Sequence, residues 1–247
     1  MNILLSGALG KMGEEVIKTV EKNKDYKIIC GYDTKKENKE FPVYSNIEDI
    51  KENPDVIIDF SKPEGSLEIL KYAKSKHLPI VIATTGFNEE ENKIIEESSK
   101  EIPIFKSSNM SLNINLMADI LKKVSKYLKD DDIEIIDIHH NRKVDSPSGT
   151  AILLADSINE ELEEKKEYNL DRMQKREKRN KNEIGFSSIR GGNIVGEHTV
   201  IFYGENESLE ITHKAYSREV FAEGALNAAK YIVNQKPGMY NMKDLIK

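Results

Sequence analysis

Cysteine is almost missing from this chain: Cys30 is the only one in 247 residues. A lone thiol excludes an intrachain disulfide and fits a reducing compartment, so the cytoplasm is the expected location. Long apolar runs are missing too, and nothing approaches the roughly 20 residues needed to span a bilayer. The start, Met1-Asn2-Ile3-Leu4-Leu5-Ser6-Gly7, lacks a basic n-region and runs into a glycine turn, so no signal peptide is expected. Nor is there an excess of positive charge. The 37 Lys and Arg stand against 43 Asp and Glu, a formal charge of −6, which repels nucleic acid and gives no pull towards anionic membranes. One stretch runs against that balance: Arg172, Lys175, Arg176, Lys178, Arg179 and Lys181. It is read as a solvated, mobile loop rather than a nucleic-acid patch, because Glu177 interrupts it and no aromatic is there to stack on bases. Internal repeats and low-complexity linkers are likewise absent.

What is present suits a soluble globular protein, with 38% apolar and 32% charged residues, and a length for one large domain or two small ones. The first hundred residues alternate strand-like and helix-like segments. Strands are predicted over 2–6, 26–32, 54–60, 78–83 and 102–106, with helices over 11–21, 66–76 and 89–100. Parallel strands need crossover connections, so this rhythm predicts a parallel sheet with helices on both faces. From Ser111 the pattern changes. A helix capped by Ser111 is predicted to about Leu128, turning Leu112, Leu116, Ile120, Leu121 and Val124 inward. A strand over 133–139 and a helix over 150–164 follow. Strands over 183–190, 193–204 and 208–215, joined by tight Gly or Asn turns, predict a mixed, largely antiparallel sheet. A last helix over 218–234 is expected to pack back on the N-terminal sheet. The predicted class is therefore α/β, with 1–110 and 217–247 forming a dinucleotide-binding domain and 111–216 a smaller α+β domain.

Gly7, Gly10 and Gly13 lie between the first strand and the first helix, the context a dinucleotide fingerprint demands. Gly7 suits the tight turn, Gly10 close approach of a diphosphate to the helix N-terminus, and Gly13 close packing of the helix. The spacing departs from G-x-G-x-x-G, since Leu9 takes the middle site. Asp33 stands at the end of the second strand, where an acid accepts from the adenosine ribose hydroxyls and disfavours a 2′-phosphate. It also fits a plain turn residue. Lys35 and Lys36 follow and can meet that phosphate, so NADH is expected to be preferred, with NADPH also used. Ala83-Thr84-Thr85-Gly86 and Ser107-Ser108-Asn109-Met110 end two later strands, the edge where ligands of parallel sheets sit. Their small hydroxyls and amides suit a nicotinamide ribose and carboxamide, and equally suit ordinary loops.

His139 and His140 end an apolar strand, with Lys143 three residues on and Ser148-Gly149-Thr150 opening a helix. Neighbours on a strand point to opposite faces, so the two histidines are expected to do different jobs. Two surface histidines before a turn is the bland alternative. A zinc pair is disfavoured, because no further ligand spacing completes a shell. Imidazole donates a proton readily at neutral pH, Lys143 supplies a cation, and the free amides of a helix start suit a carboxylate. His198 and His213 are read as satisfied structural histidines and His77 as exposed.

The run His139-His140-Asn141-Arg142-Lys143-Val144-Asp145-Ser146-Pro147-Ser148-Gly149-Thr150-Ala151 resembles the signature of the 4-hydroxy-tetrahydrodipicolinate reductase (dihydrodipicolinate reductase) family. Gly7-Ala8-Leu9-Gly10-Lys11-Met12-Gly13, Asn109-Met110-Ser111 and the stretch 189–200 add to the resemblance, which covers nearly the whole chain. It implies a Rossmann-like cofactor domain and a second domain that binds a small dicarboxylate and assembles a homotetramer, in the diaminopimelate route to lysine. It further implies that His139 transfers a proton and Lys143 is a second proton donor, with His140 contacting substrate and Gly149 and Thr150 binding a carboxylate. Gly7, Ala8, Leu9, Gly10, Lys11, Met12, Asp33, Ala83, Thr84, Thr85, Ser107, Ser108, Asn109 and Met110 would line NADH or NADPH. No metal is implied. The chain departs from the family in Ala83, commonly a glycine, in Leu112-Asn113, and in the charged segment 164–182. Two rivals remain: a reductase of another imine or keto acid, and a non-catalytic NAD(H) sensor, which would leave the histidine-lysine segment idle.

Overall fold

The computed structural model describes residues 1–172 and 177–246, so Lys175 and Arg176 of the basic stretch lie outside the described residues. The chain begins with β1 (Asn2–Ser6), α1 (Lys11–Glu21), β2 (Lys27–Tyr32), β3 (Glu37–Asn38), β4 (Pro42–Tyr44) and β5 (Val56–Asp59). Next come α2 (Pro63–Lys76), β6 (Ile80–Ile82), α3 (Glu89–Ser99), β7 (Pro103–Lys106), α4 (Leu112–Ser125), β8 (Asp132–His139) and α5 (Gly149–Asn159). The last elements are β9 (Glu167–Asn169), β10 (Glu183–Arg190), β11 (Gly196–Tyr203), β12 (Ser208–Ala215), α6 (Glu219–Ile232) and β13 (Gly238–Tyr240). They form two compact units, Met1–Leu112 with Arg218–Lys247, and Asn113–Ser217. No helix among the described residues is long and apolar enough to cross a membrane.

The first unit holds an eight-stranded sheet in the order β13-β7-β6-β5-β1-β2-β4-β3. Its pairings are parallel except β3 with β4. A parallel sheet is covered on both faces, so its central strands read as unbroken apolar runs; Val56, Ile57 and Ile58 are all fully buried. Alternation splits each strand between two cores. Ile3 and Leu5 pack with Val16 of α1 and with Ala222, Ala225 and Ala229 of α6. Leu4 faces the other way, onto Ile69 and Leu70 of α2 and Ile95 of α3. The last helix thus returns to the N-terminal sheet as predicted. The strands β3, β4 and β13, at two or three residues each, are too short for periodicity to reveal.

The second unit differs from its prediction in connectivity. Its sheet runs β12-β11-β8-β10-β9, with β8 parallel to β10 and antiparallel to β11. Strands β10 and β11 are therefore not a hairpin, because β8 lies between them. The link after β10 bonds to the end of β8 instead: Gly191 N donates to His139 O at 2.9 Å and His140 N to Ile194 O at 2.8 Å. Helix α5 stops at Asn159, short of the predicted Glu164, since the Asn159 amide turns onto the backbone N and O of Lys166, both at 2.9 Å. Helix α4 buries Ile114, Met117, Ala118 and Leu121 and leaves the predicted inward residues Leu112, Leu116 and Ile120 exposed. Both stripes have helical spacing, and only the shape of the partner surface selects one.

The basic stretch is not simply a solvated loop. Arg179 lies 2.9 Å from Asp132 and 3.2 Å from Glu134, and Arg172 pairs with Glu183. Arg179 Nη2 also donates to the carbonyls of Ile133 and Glu183, at 2.9 and 3.0 Å. The planar guanidinium fork suits such multiple bonding, and here it braces the start of β8 against β10.

Candidate functional site

Register gathers the predicted cofactor residues of the first unit on one edge. Ser6 is level with Tyr32 and Asp59, Asp59 with Ile82, and Ile82 with Lys106. Gly7, Asp33, Ala83 and Ser107 each follow one of these residues directly. They lie at the carboxyl ends of β1, β2, β6 and β7, the edge at which open parallel sheets bind ligands, and the chain order reverses between β1 and β5. Gly7 has φ +76°, and a Cβ there would stand 2.5 Å from the carbonyl oxygen of Phe60. At Gly13 a Cβ would stand 2.3 Å from the oxygen of Gly7. Neither position accepts a side chain, so the turn and the start of α1 pack tightly on backbone. Gly10 caps α1 without a side-chain hydrogen bond, leaving the positive helix end to an anion. Ala8, Leu9 and Met12 pack on the core while Lys11 is exposed.

Asp33 is occupied on both oxygens: Oδ2 accepts from Leu9 N at 2.8 Å and Oδ1 from Thr34 N at 2.7 Å. It ties the glycine turn to the end of β2 and is a turn residue as well. Thr84 is buried and gives its hydroxyl to the buried Asp59 at 2.8 Å, whereas Thr85 is exposed. Ala83 is not left-handed; the left-handed glycine of that turn is Gly86, φ +89°. Ser107 Oγ donates to Asn109 O at 2.8 Å, and Asn109 Oδ1 accepts from Ser111 N at 2.8 Å. Ser108 is exposed, but Met110 is a core residue. A cavity of about 550 Å³ opens at these ends, with Lys106 and Tyr240 in its wall. Sequence reasoning missed both. Burial lowers the Lys106 pKa, and its ammonium sits 5.2 Å from the Phe87 ring centre.

The second unit builds its polar centre from side chains. His139 ends β8 on the inner face and is only 7% exposed. Asp137, two residues earlier, shares that face and is 1% exposed. Its Oδ1 meets His139 Nδ1 at 3.0 Å and Arg190 Nη1 at 2.6 Å. Its Oδ2 accepts from Ser188 Oγ at 2.6 Å and Ser148 N at 3.2 Å. Burial alone would raise the carboxyl pKa, but the bonds from His139, Ser188, Arg190 and Ser148 hold it well below the usual range. His198 of β11 meets the His139 ring edge-on at 5.1 Å, and its Nε2 lies 2.9 Å from Ser148 Oγ. Burial, then the neighbouring His139, pushes the His198 pKa down to about 3. Among the described residues the buried Nδ1 atoms of His198 and His213 have no partner, so the expectation of satisfied structural histidines fails at these nitrogens.

Lys143 Nζ lies 2.8 and 2.9 Å from the two oxygens of Asp145. Against desolvation, the bond from Lys143 and its charge lower the Asp145 pKa. Arg190 Nη2 donates to Asp145 O at 2.8 Å, joining this loop to Asp137. Ser148 caps α5 by accepting from Ala151 N at 3.1 Å. Thr150 and His140 are half-buried, and His77 is exposed. The structure thus brings His139 and Lys143 into one bonded network with Asp137, Asp145 and Arg190, three residues that sequence reasoning did not select, and Gly149 follows Ser148, whose N–H bonds Asp137. The two-residue strand period could have flagged Asp137. Arg190 needs the pairing of β10 with β8, which a sequence does not display. Among the described residues no group of three His, Cys, Asp or Glu side chains is disposed to hold a metal ion. The network can grip a carboxylate and move a proton.

Sequence models of dihydrodipicolinate reductase match the chain in two pieces, the N-terminus over residues 1–110 and the C-terminus over residues 113–246. A Caldanaerobacter subterraneus subsp. tengcongensis protein named 4-hydroxy-tetrahydrodipicolinate reductase is 50% identical over 247 residues, covering 100% of this chain and 98% of that one. One of the same name from Clostridium tetani is 50% identical over 244 residues, covering 98% and 95%. A solved structure, a dipicolinate-bound dihydrodipicolinate reductase from Paenisporosarcina sp. TG-14, superposes with a TM-score of 0.82 at 24% identity and 99% coverage of each chain, a likeness of fold. With both halves of the family pattern matched and half of its residues shared with full-length relatives, the chain belongs to the dihydrodipicolinate reductase family.

Proposed function

We propose that this protein reduces 4-hydroxy-tetrahydrodipicolinate to tetrahydrodipicolinate, with loss of water, in the diaminopimelate route to lysine. The observation that carries the proposal is the pairing of Lys143 Nζ with both oxygens of one carboxylate, that of Asp145. Through Arg190 this grip is bonded to the Asp137–His139 pair. A receptor for a carboxylate and a group that handles protons are what reduction of an imine dicarboxylate requires.

In this reading residues 1–110 and 217–247 hold the cofactor, and 111–216 hold the substrate and assemble the oligomer. The glycine cradle and the uncapped start of α1 fit a nicotinamide dinucleotide, which supplies the hydride when bound. Asp33 favours NADH, and Lys35 and Lys36, exposed beside it, accommodate NADPH. A large advantage of NADPH over NADH in kcat/KM would overturn that preference. Lys143 and the start of α5, Gly149 and Thr150, hold a substrate carboxylate that takes the place of Asp145, and His140 contacts the ring. Reduction leaves an electron pair on the substrate, and His139 donates the proton that it takes. General acid help of this kind is worth ~10²–10⁴ in rate.

The outer face of the second sheet supports a homotetramer: Ile189 and Tyr203 point away from the helices and are 50% and 45% exposed, beside half-buried Ile136 and Ile138. Sedimentation at micromolar concentration tests that assembly. The single Cys30, buried, supports work in the cytoplasm. The activity is tested by NADH oxidation with substrate made in situ by the preceding aldolase-type enzyme. Turnover of simple keto acids instead, or cofactor binding without turnover, would replace the proposal with one of its rivals.

A further inference from the structure

We infer that Asp137 is a positioning residue for the reduction: it fixes His139 in the tautomer with its proton on Nδ1 and leaves Nε2 to give up and regain the transferred proton. The inference rests on the reading of His139 as proton donor. A carboxylate only accepts hydrogen bonds, so the groups around Asp137 must all donate. Its Oδ1 takes His139 Nδ1 and Arg190 Nη1, and its Oδ2 takes Ser188 Oγ and Ser148 N. Four donors fill the roughly four acceptor positions of a carboxylate. With Nδ1 committed as a donor, the ring can change its proton only at Nε2. That atom has no hydrogen bond among the described residues and lies beside Gly196, where a Cβ would come within 3.1 Å of it.

The proton step then balances without ring rotation. The Nε2–H bond of the imidazolium breaks, its proton bonds to the electron pair left on the substrate, and the ring becomes neutral with Nδ1–H still held by Asp137. Solvent returns the proton to Nε2. The same carboxylate holds Ser148 N at the cap of α5, so ring orientation and the carboxylate-gripping helix start share one anchor. The titratable or charged groups around the ring are Asp137 on β8, Arg190 on β10 and His198 on β11, and His198 in turn feels His213 on β12 and Lys143 from the following loop.

The test is ¹⁵N NMR of histidine-labelled enzyme, with His139 assigned by its loss in His139→Gln, together with kinetics of Asp137→Asn. The wild-type neutral ring is expected to be protonated at Nδ1. Asp137→Asn should populate the Nε2-protonated form and lower kcat by ~10²-fold or more with the NADH KM unchanged. Asp137→Glu, which keeps the charge, should recover part of kcat. A wild-type ring protonated at Nε2 overturns the inference, even if Asp137→Asn fails to fold. So does a fall in kcat with the tautomer unmoved, the mark of a merely structural residue. A wild type that binds NADH, shows the Nδ1–H ring and never turns over the dicarboxylate instead overturns the reductase reading, and the catalytic role with it.

Discussion

The edge of the first sheet offers its ligand groups from the backbone, whereas the second unit offers charged side chains drawn inside. At Gly7 and Gly13 the proposed cofactor site is close-packed backbone, where a Cβ would stand 2.5 and 2.3 Å from carbonyl oxygens. Around Asp137, 1% exposed, the second unit's site consists of ionised groups that survive burial by bonding one another. The two constructions have different weaknesses. A backbone cradle ignores pH and most side-chain changes but cannot tolerate one added carbon. A buried ionic network accepts similar volumes but fails when a single charge or proton is misplaced.

The sharpest way to separate them is His139→Gln. It should lower kcat by ~10²–10⁴-fold while NADH affinity, measured by fluorescence titration, stays as in the wild type. A parallel loss of NADH affinity would break the division. Gly13→Ala is the converse. Overpacking of this kind costs ~1–3 kcal/mol, so NADH affinity should fall by roughly tenfold or more, with dipicolinate affinity in the second unit unchanged.

The two constructions were also unequally legible. The parallel sheet announces itself, since Val56-Ile57-Ile58 and Ile80-Val81-Ile82 have turn residues around them and the glycines follow the first strand directly. The loops that carry the predicted residues start level at that edge, because strand ends in a parallel sheet come level by pairing, although Thr84 and Met110 are buried there. In the second unit His139, Lys143 and Gly149 were legible from motif and spacing, but their partners were not. Arg190 is level with His139 only because β8 inserts beside β10, and the Gly-rich link 191–195 disguises that insertion as a hairpin. Helix α4 carries two apolar stripes, and nothing local tells which one is covered.

Acid should distinguish the units next. The His198 pKa falls from 6.5 to about 3 in the fold, so between these values the unfolded chain binds the proton that the native chain refuses. Its stabilising contribution is complete above pH 6.5 and shrinks as pH falls towards 3. Asp137, also depressed, adds a loss once pH drops below about 4. In the first unit the Cys30 thiol, pushed up to about 12 by burial, stays neutral throughout. Urea midpoints should therefore fall from pH 7 to pH 5, and His198→Gln should flatten the slope by about one proton. An unchanged slope would remove His198 as the cause.

The smallest expected effect probes the carboxylate grip itself. In the structure Asp145 holds Lys143 Nζ, a donor assigned to a substrate carboxylate, so an incoming dianion must displace it. The displaced pair is partly solvated, with Lys143 20% and Asp145 58% exposed, and such pairs are worth ~0.2–1 kcal/mol. Asp145→Asn keeps the backbone carbonyl that Arg190 binds and weakens only the competing charge. Dipicolinate should then bind roughly two- to fivefold more tightly by calorimetry, with NADH affinity unmoved. Weaker binding would mean that Asp145 holds Lys143 in its working position rather than standing in for the substrate. The side-chain site would then depend on that second carboxylate as it does on Asp137.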